Sequence, residues 1–202
     1  MRSVGIYLYD QVEVLDFAGP FEVFSAASQV ASRLDPSAEP PFRVFTVGAS
    51  DGPVTTTGGL LVQPRFTIDD HPPIDVLVVP GGVVDAELER REVVTWIAAQ
   101  QQTAELTVSV CTGAFLLGRA GALAGKSATT HWDDIGDLRR AFPDTTVVDG
   151  PRWVDEGAVI TAAGVSAGLD VSLHVVARLA GNELALRTAR YMDYRWCADP
   201  NS

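Results

Sequence analysis

The sequence predicts an α/β fold, a mostly parallel sheet with helices packed on both faces, on three observations. Short apolar runs rich in β-branched residues recur along the chain, at residues 3–9, 42–47, 74–79, 106–110 and 158–163. Runs of this length read as strands buried on both faces. Between them lie segments with apolar residues at helical spacing, so strand and helix alternate, which is the pattern of parallel strands joined by crossover helices. In such sheets the active site lies at the carboxyl ends of the strands.

Composition bounds the answer further. At 202 residues the chain suits one domain, residues 1–202, and 47% hydrophobic against 20% charged residues is ordinary globular material. A net charge of -11, with acidic residues spread along the chain, argues against a nucleic-acid partner. No apolar run reaches the ~18 residues of a membrane span, and Arg2 leads at once into a strand-like run instead of a signal-peptide core. The expectation is a cytoplasmic protein with no membrane partner. Its two cysteines, Cys111 and Cys197, form neither a metal-ligand spacing nor a disulfide framework.

In order along the chain, residues 3–9 read as the first strand and residues 10–20 as a loop. Pro20 suits the first position of a helix running from Phe21 to about Leu34. Asp16 falls just before that helix start, where a carboxylate is a cap or a site residue. Residues 35–41 are a turn-rich linker, 42–47 a strand, and 55–63 a hairpin around Gly58-Gly59. The strand at 74–79 ends in Pro80-Gly81-Gly82; two glycines there make a plain tight turn, or let the backbone approach a ligand and present an N–H to it. A helix over 87–102 carries Val93, Val94, Ile97 and Ala98 on one face.

The strand at 106–110 runs straight into Cys111-Thr112-Gly113 and then a helix reaching about Leu123. Residues 126–130 form a short strand before His131-Trp132, residues 134–142 a helix, and 146–148 and 152–155 two short strands. After the strand at 158–163, the segment Gly164 to Gly168 leads into a helix over 169–180, Gly181 ends it, and a final amphipathic helix covers 183–196.

Cys111 is the residue with chemistry. A strand that becomes a helix within two residues needs a small residue after the bend, which Gly113 supplies, and the result is a nucleophile elbow with sulfur in place of the usual hydroxyl. A thiol at the first turn of a helix faces unpaired N–H groups that favour thiolate. On its flanks alone, Cys111 reads equally as a small buried hydrophobe. What favours the nucleophile is convergence: Asp16 follows the first strand, Gly81-Gly82 a central one and Cys111-Thr112 another, so three strand ends meet at one crevice. The backbone N–H groups of Gly82 and Thr112 are candidate donors to a developing negative charge.

The segments Leu15-Asp16-Phe17-Ala18-Gly19-Pro20, Val78-Val79-Pro80-Gly81-Gly82, Val110-Cys111-Thr112-Gly113-Ala114, Ala128-Thr129-Thr130-His131-Trp132 and Gly164-Val165-Ser166-Ala167-Gly168-Leu169-Asp170 together resemble the ThiJ/PfpI superfamily, which shares its core with class I glutamine amidotransferases. The resemblance implies a flavodoxin-like three-layer sandwich. Asp16 in a Leu-Asp-x-x-Gly-Pro context with a Cys-Thr-Gly elbow is similar to the isocyanide hydratase branch and to the sensor domains of AraC-type regulators. Members with glyoxalase or deglycase activity usually carry glutamate where this chain has Asp16. The protease branch places histidine directly after the cysteine, where this chain has Thr112. AraC-type regulators append a DNA-binding module of roughly a hundred residues. On residues 1–202 the regulator reading lacks that half.

The implied chemistry is hydration of an isocyanide to an N-formamide. Cys111 forms a thioimidate, Asp16 shuttles protons from a partly buried, protonated state, and the Thr112 hydroxyl contacts substrate or Asp16. No cofactor or metal is implied; the partners are a small-molecule substrate and a second copy in a homodimer. The alternatives are glyoxalase or deglycase chemistry at the same cysteine, and a ligand-binding or redox-sensing domain. His131 is a possible general base, though a lone histidine beside Trp132 is more often a packed residue. His71 and His174 read as structural, Cys197 as inert, and Trp132 and Trp153 as pocket or dimer residues.

Overall fold

The computed structural model describes residues 1–201. The chain runs β1 (Arg2–Leu8), α1 (Val14–Leu34), β2 (Phe42–Gly48), β3 (Val54–Thr55), β4 (Leu61–Val62), β5 (Phe66–Thr67), β6 (Val76–Val79), α2 (Asp85–Leu88), α3 (Arg91–Thr103), β7 (Leu106–Val110) and α4 (Gly113–Arg119). It continues through β8 (Ser127–Ala128), a 3-10 turn (Trp132–Asp134), α5 (Ile135–Ala141), β9 (Thr146–Val147), β10 (Trp153–Asp155), β11 (Val159–Ala162), α6 (Ala167–Ala180) and α7 (Asn182–Tyr191).

Seven strands form the main sheet in the order β10-β11-β7-β6-β1-β2-β5. Every neighbouring pair is parallel except β10 with β11. The central strands β6 and β7 are buried at every position because helices cover both faces; β6 is an unbroken apolar run, and β7 buries Thr107 and Ser109 between Leu106, Val108 and Val110. On one face α1 packs against α6 and α7; elsewhere α4 packs against α2 and α3. This is the flavodoxin-like three-layer architecture. Because β1, β6 and β7 are neighbours, their carboxyl ends bring the segments after Leu8, Val79 and Val110 to one edge. Among the described residues no helix is long and apolar enough to cross a membrane.

Several elements depart from the sequence reading. Helix α1 begins at Val14, six residues before Pro20, with the Glu13 side chain accepting the Val14 N–H at 3.1 Å. Pro20 therefore lies inside the helix, where it supplies no N–H to the Asp16 carbonyl four residues back. Asp16 belongs to the first turn of α1 and is fully buried, not part of a loop. The helix expected over 87–102 is two, α2 and α3, separated by Glu89-Arg90. The last helix stops at Tyr191 instead of reaching Trp196, because residues 194–197 fold back onto Asp170. Strand β5 is two residues, too short to show alternation in the sequence. Trp153 is buried in the core, whereas Trp132 is largely exposed. The hairpin expected around Gly58-Gly59 forms, as β3 paired with β4.

Candidate active site

Cys111 follows β7 directly and takes a φ of +55°, in the left-handed region that non-glycine residues rarely occupy. Its backbone is held there from several directions. The Cys111 N–H donates to the Ala162 carbonyl at 3.0 Å, and the Thr130 hydroxyl donates to the Cys111 carbonyl at 2.8 Å. Gly113 lets the bend close: a Cβ there would run into the Val79 carbonyl oxygen on the neighbouring strand. Strain of this kind persists only where the surroundings over-determine it, and it concentrates at functional sites.

Asp16 reaches the same point from α1. Its Oδ2 accepts the Gly81 N–H at 3.0 Å, while Oδ1 is buried with no hydrogen-bond partner among the described residues. Burial pushes the Asp16 carboxyl up to about 7, and the negative charge of Glu13 adds to the rise. The Gly81 N–H and the neighbouring Cys111 thiol pull the other way. The thiol thus lies close enough to favour the carboxylate, although no hydrogen bond of standard geometry reaches Oδ1.

The helix start that favours thiolate does not prevail at the sulfur. Burial, and then the Asp16 charge, push Cys111 up to about 12, with Asp134 adding a smaller rise; the Thr112 N–H and hydroxyl oppose them and lose. The N–H groups at the start of the seven-residue helix α4 do not offset burial and the Asp16 charge. At rest, the pair is a protonated thiol beside a carboxyl that titrates near neutrality.

The glycine loop between them is fully engaged. The Thr112 hydroxyl donates to the Gly82 carbonyl at 2.8 Å and accepts the Gly82 N–H at 2.9 Å. Gly81 gives its N–H to Asp16. Gly82 is therefore not an open donor in this state, contrary to the expectation, and the Thr112 N–H is the backbone donor that acts on the sulfur. A Cβ on Gly81 would lie 2.7 Å from Thr112 N and Oγ1 and 2.8 Å from Asp16 Oδ2, so only glycine lets the two sides converge. Gly82 takes a φ of +141°, and a Cβ there would strike the Gln11 carbonyl.

His131 stands to one side. A Cβ on Gly164 would touch both the His131 ring and, at 3.3 Å, the Cys111 sulfur, so the two side chains face each other across that glycine. No hydrogen bond joins them among the described residues. The ring's Nδ1 lies 3.4 Å from both Asp134 Oδ2 and the Asp133 N–H. His71 instead accepts the Trp96 indole N–H, and His174 bonds Asp155, both away from the sulfur.

Sequence reasoning passed over Tyr9. It is buried just past β1, its hydroxyl donates to the Pro80 carbonyl at 3.1 Å, and burial together with Asp16 raises its pKa well above the usual 10. Its position after a strand that ends in the crevice was the available signal. A cleft of about 430 Å³ opens next to the elbow at Thr112, lined by Gly82, Thr112, Leu88 and Phe115 with Asp85, Asp134 and Asp137; Cys111 and Asp16 are not among its lining residues. Among the described residues no group of three or more histidine, cysteine or acidic side chains is placed to hold a metal ion.

A strained cysteine at the carboxyl end of a central parallel strand, met by a buried carboxyl from the first helix, defines a class of α/β proteins. The chain belongs to the DJ-1/PfpI family, whose sequence profile matches residues 2–178. Its relatives include the isonitrile hydratase of Pseudomonas putida, 34% identical over 95% of this chain and 78% of that protein. They also include the HTH-type transcriptional regulator GbdR of Pseudomonas aeruginosa, 28% identical over 96% of this chain. The match covers only 51% of GbdR, so this chain spans about half of that regulator's length. Among solved structures, a ThiJ/PfpI family protein from Pseudomonas syringae superposes with a TM-score of 0.84 at 29% identity, covering 100% of this chain and 77% of that one. Drosophila melanogaster DJ-1beta shares the fold, with a TM-score of 0.80 at 21% identity over 96% of this chain and 99% of that one.

Proposed function

We propose that this protein is a hydro-lyase that adds water to an isocyanide to give an N-formamide. The observation that carries the reading is the buried Asp16 carboxyl next to the Cys111 thiol, with its Oδ1 left without a hydrogen-bond partner among the described residues. That carboxyl, titrating near neutrality, can take the proton from the sulfur. The likeness to the isonitrile hydratase of Pseudomonas putida supports the same reading.

In this mechanism the Asp16 carboxylate accepts the thiol proton, and the sulfur lone pair attacks the terminal carbon of the isocyanide. Asp16 then returns that proton to the carbon, leaving an S-linked thioimidate, R–N=CH–S–Cys111. Asp16 next takes a proton from water as its oxygen adds to the same carbon, and delivers that proton to nitrogen. Collapse of the tetrahedral adduct expels the Cys111 sulfur, which recovers a proton, and releases R–NH–CHO. One sulfur and one carboxyl cover every step, so the reading invokes no cofactor. Thr112 serves by donating its N–H toward the sulfur, and its hydroxyl fixes the Gly82 loop. The proposal also takes the protein as a cytoplasmic homodimer.

The test is turnover of a simple aryl isocyanide to its formamide by purified protein, with methylglyoxal as the competing substrate. Isocyanide turnover that disappears in Cys111→Ala supports the reading; turnover of methylglyoxal alone overturns it in favour of glyoxalase chemistry. The match to GbdR favours a second reading, a ligand-binding domain. Saturable isocyanide binding without product would select it.

A further inference from the structure

Resting on the hydratase reading for the reaction it serves, we propose that Tyr9 is a positioning residue: acting through the single peptide unit that joins Pro80 to Gly81, its hydroxyl orients and strengthens the N–H that the Asp16 carboxyl receives. Two buried hydrogen bonds meet on that unit. The Tyr9 hydroxyl donates to the Pro80 carbonyl at 3.1 Å, and the Gly81 N–H donates to Asp16 Oδ2 at 3.0 Å. The unit is planar and trans, so its carbonyl and its N–H point in opposite directions, and fixing one fixes the other.

That orientation needs a lock. Gly81 carries no side chain to restrict rotation of the peptide before it, and a rotated unit would turn the Pro80 carbonyl oxygen, not an N–H, toward Asp16. The Glu13 N–H on the Gly81 carbonyl at 2.8 Å and the paired bonds of Thr112 with Gly82 hold the two peptide units that follow. The Pro80–Gly81 unit is held by Tyr9 on one side and Asp16 on the other. Tyr9 is itself fixed, 2% exposed and stacked on Tyr7 with ring centroids 5.6 Å apart; Tyr7 in turn lies against Trp96 and donates its hydroxyl to Glu87 at 2.5 Å. Burial and the Asp16 charge keep the Tyr9 proton in place well above the usual 10, so the donor persists across the working range of pH.

A donor on a carbonyl draws electron density from the N–H of the same peptide, and a stronger N–H favours the carboxylate over the carboxyl. Other groups face the relay from several elements. Glu13, ahead of α1, raises Asp16 and Cys111, after β7, lowers it, while Glu87 on α2 acts on Tyr9, Arg90 on Tyr7 and Asp134 on the sulfur. All of them remain when the Tyr9 hydroxyl is removed.

Tyr9→Phe keeps the ring and its stacking and deletes only the donor. The bend in kcat/KM against pH for an aryl isocyanide, near 7 in wild type, should move up by about half a unit or more. Turnover should fall about threefold on the acid side of the bend and hold on the alkaline side, where Asp16 is ionised in both proteins. Tyr7→Phe removes an equally buried hydroxyl from the neighbouring ring without touching the relay, and should lose stability with the bend in place. Two NMR measurements need no turnover. The Asp16 carboxyl carbon, assigned by its loss in Asp16→Asn, should titrate at correspondingly higher pH in Tyr9→Phe. In wild type the Gly81 amide proton should shift at the Asp16 midpoint, which tests the relay even if Tyr9→Phe does not fold.

An unmoved or lowered Asp16 midpoint in Tyr9→Phe, an equal shift in Tyr7→Phe, or a Gly81 amide indifferent to Asp16 overturns the proposal. Isocyanide turnover with an unmoved bend removes it and leaves the hydratase reading standing. A raised Asp16 midpoint in Tyr9→Phe with no isocyanide turnover by wild type does the reverse.

Discussion

Two aspartates, Asp16 and Asp170, look alike in almost every respect. Each lies in the first turn of a long helix, each is fully buried, and each stands near one of the two cysteines. Their surroundings differ completely. Asp170 Oδ2 accepts Arg152 Nε at 2.7 Å in an ion pair, and Oδ1 accepts the Tyr194 hydroxyl and the Cys197 N–H, both at 3.1 Å. Asp16 has a single backbone N–H and one bare oxygen. A buried carboxylate surrounded by donors and a counter-charge is settled and binds the structure together; one left short of donors holds its proton to higher pH and can exchange it with a neighbour. Burial is common to both, so donor count separates a structural latch from a carboxyl free to exchange its proton.

The strongest way to break this contrast is to remove the charge from Asp16. Asp16→Asn keeps the shape and the Gly81 contact but has no proton to exchange, and it should lower isocyanide turnover by about a thousandfold, within the range general acid–base groups supply. Retention of more than a tenth of wild-type activity would take the shuttle role away. Stability should move the other way. The folded state holds the Asp16 proton up to about 7 against 3.8 in the reference carboxyl, so wild-type stability falls as pH rises through that window. The difference is about 4 kcal/mol, all of it lost above pH 7. Asp16→Asn lacks this loss, and urea titrations at pH 4 and pH 8 should show the variant gaining on wild type by that order.

Asp170→Asn should reverse both effects. It leaves Arg152, only partly exposed, without its counter-charge, and breaking such a pair costs about 3 kcal/mol, roughly 8 °C in melting temperature for a chain of this size. Turnover per folded molecule should stay near wild type. A larger loss of turnover than of stability would show that the latch reaches the site.

The pH profile sharpens the contrast next. Below about 7 both Asp16 and Cys111 hold their protons and no base is present, so kcat/KM should rise about tenfold per pH step up to a bend near 7, then stay level well into alkaline pH because the thiol itself titrates near 12. A profile bending instead near 9, with an unshifted thiol, would contradict the buried pair. The smallest effect is expected from Tyr194→Phe, which removes one of the donors to Asp170 and should cost about 1 kcal/mol in urea unfolding with no change in rate.

Much of the scaffold was legible because its pattern is local. The run Leu106–Val110 alternates apolar Leu106, Val108 and Val110 with small Thr107 and Ser109, a strand period, and Gly113 after Cys111 marks the bend. Local rules failed where a tertiary contact overrode them. Pro20 reads as a helix start, yet α1 begins at Val14 because Glu13 caps it and the burial of Asp16, Phe17, Gly19 and Pro20 against the core sustains the first turns. The last helix ends at Tyr191 and not Trp196 because Asp170 gathers Tyr194, Trp196 and Cys197. The expected donor at Gly82 was a reasonable reading of a glycine pair, but the Thr112 hydroxyl thirty residues on had already taken its N–H.

The order of strands and helices, the bend at Cys111 and the arrival of three strand ends at one crevice follow from the sequence by itself, since apolar period and glycine placement act over a few residues. Only the tertiary structure decided which buried aspartate lacks donors, how far burial raises the thiol, and that the cleft wall is acidic. Those properties depend on excluded water and on groups brought from far along the chain, Gly81 to Asp16 across 65 positions, and no local pattern encodes them.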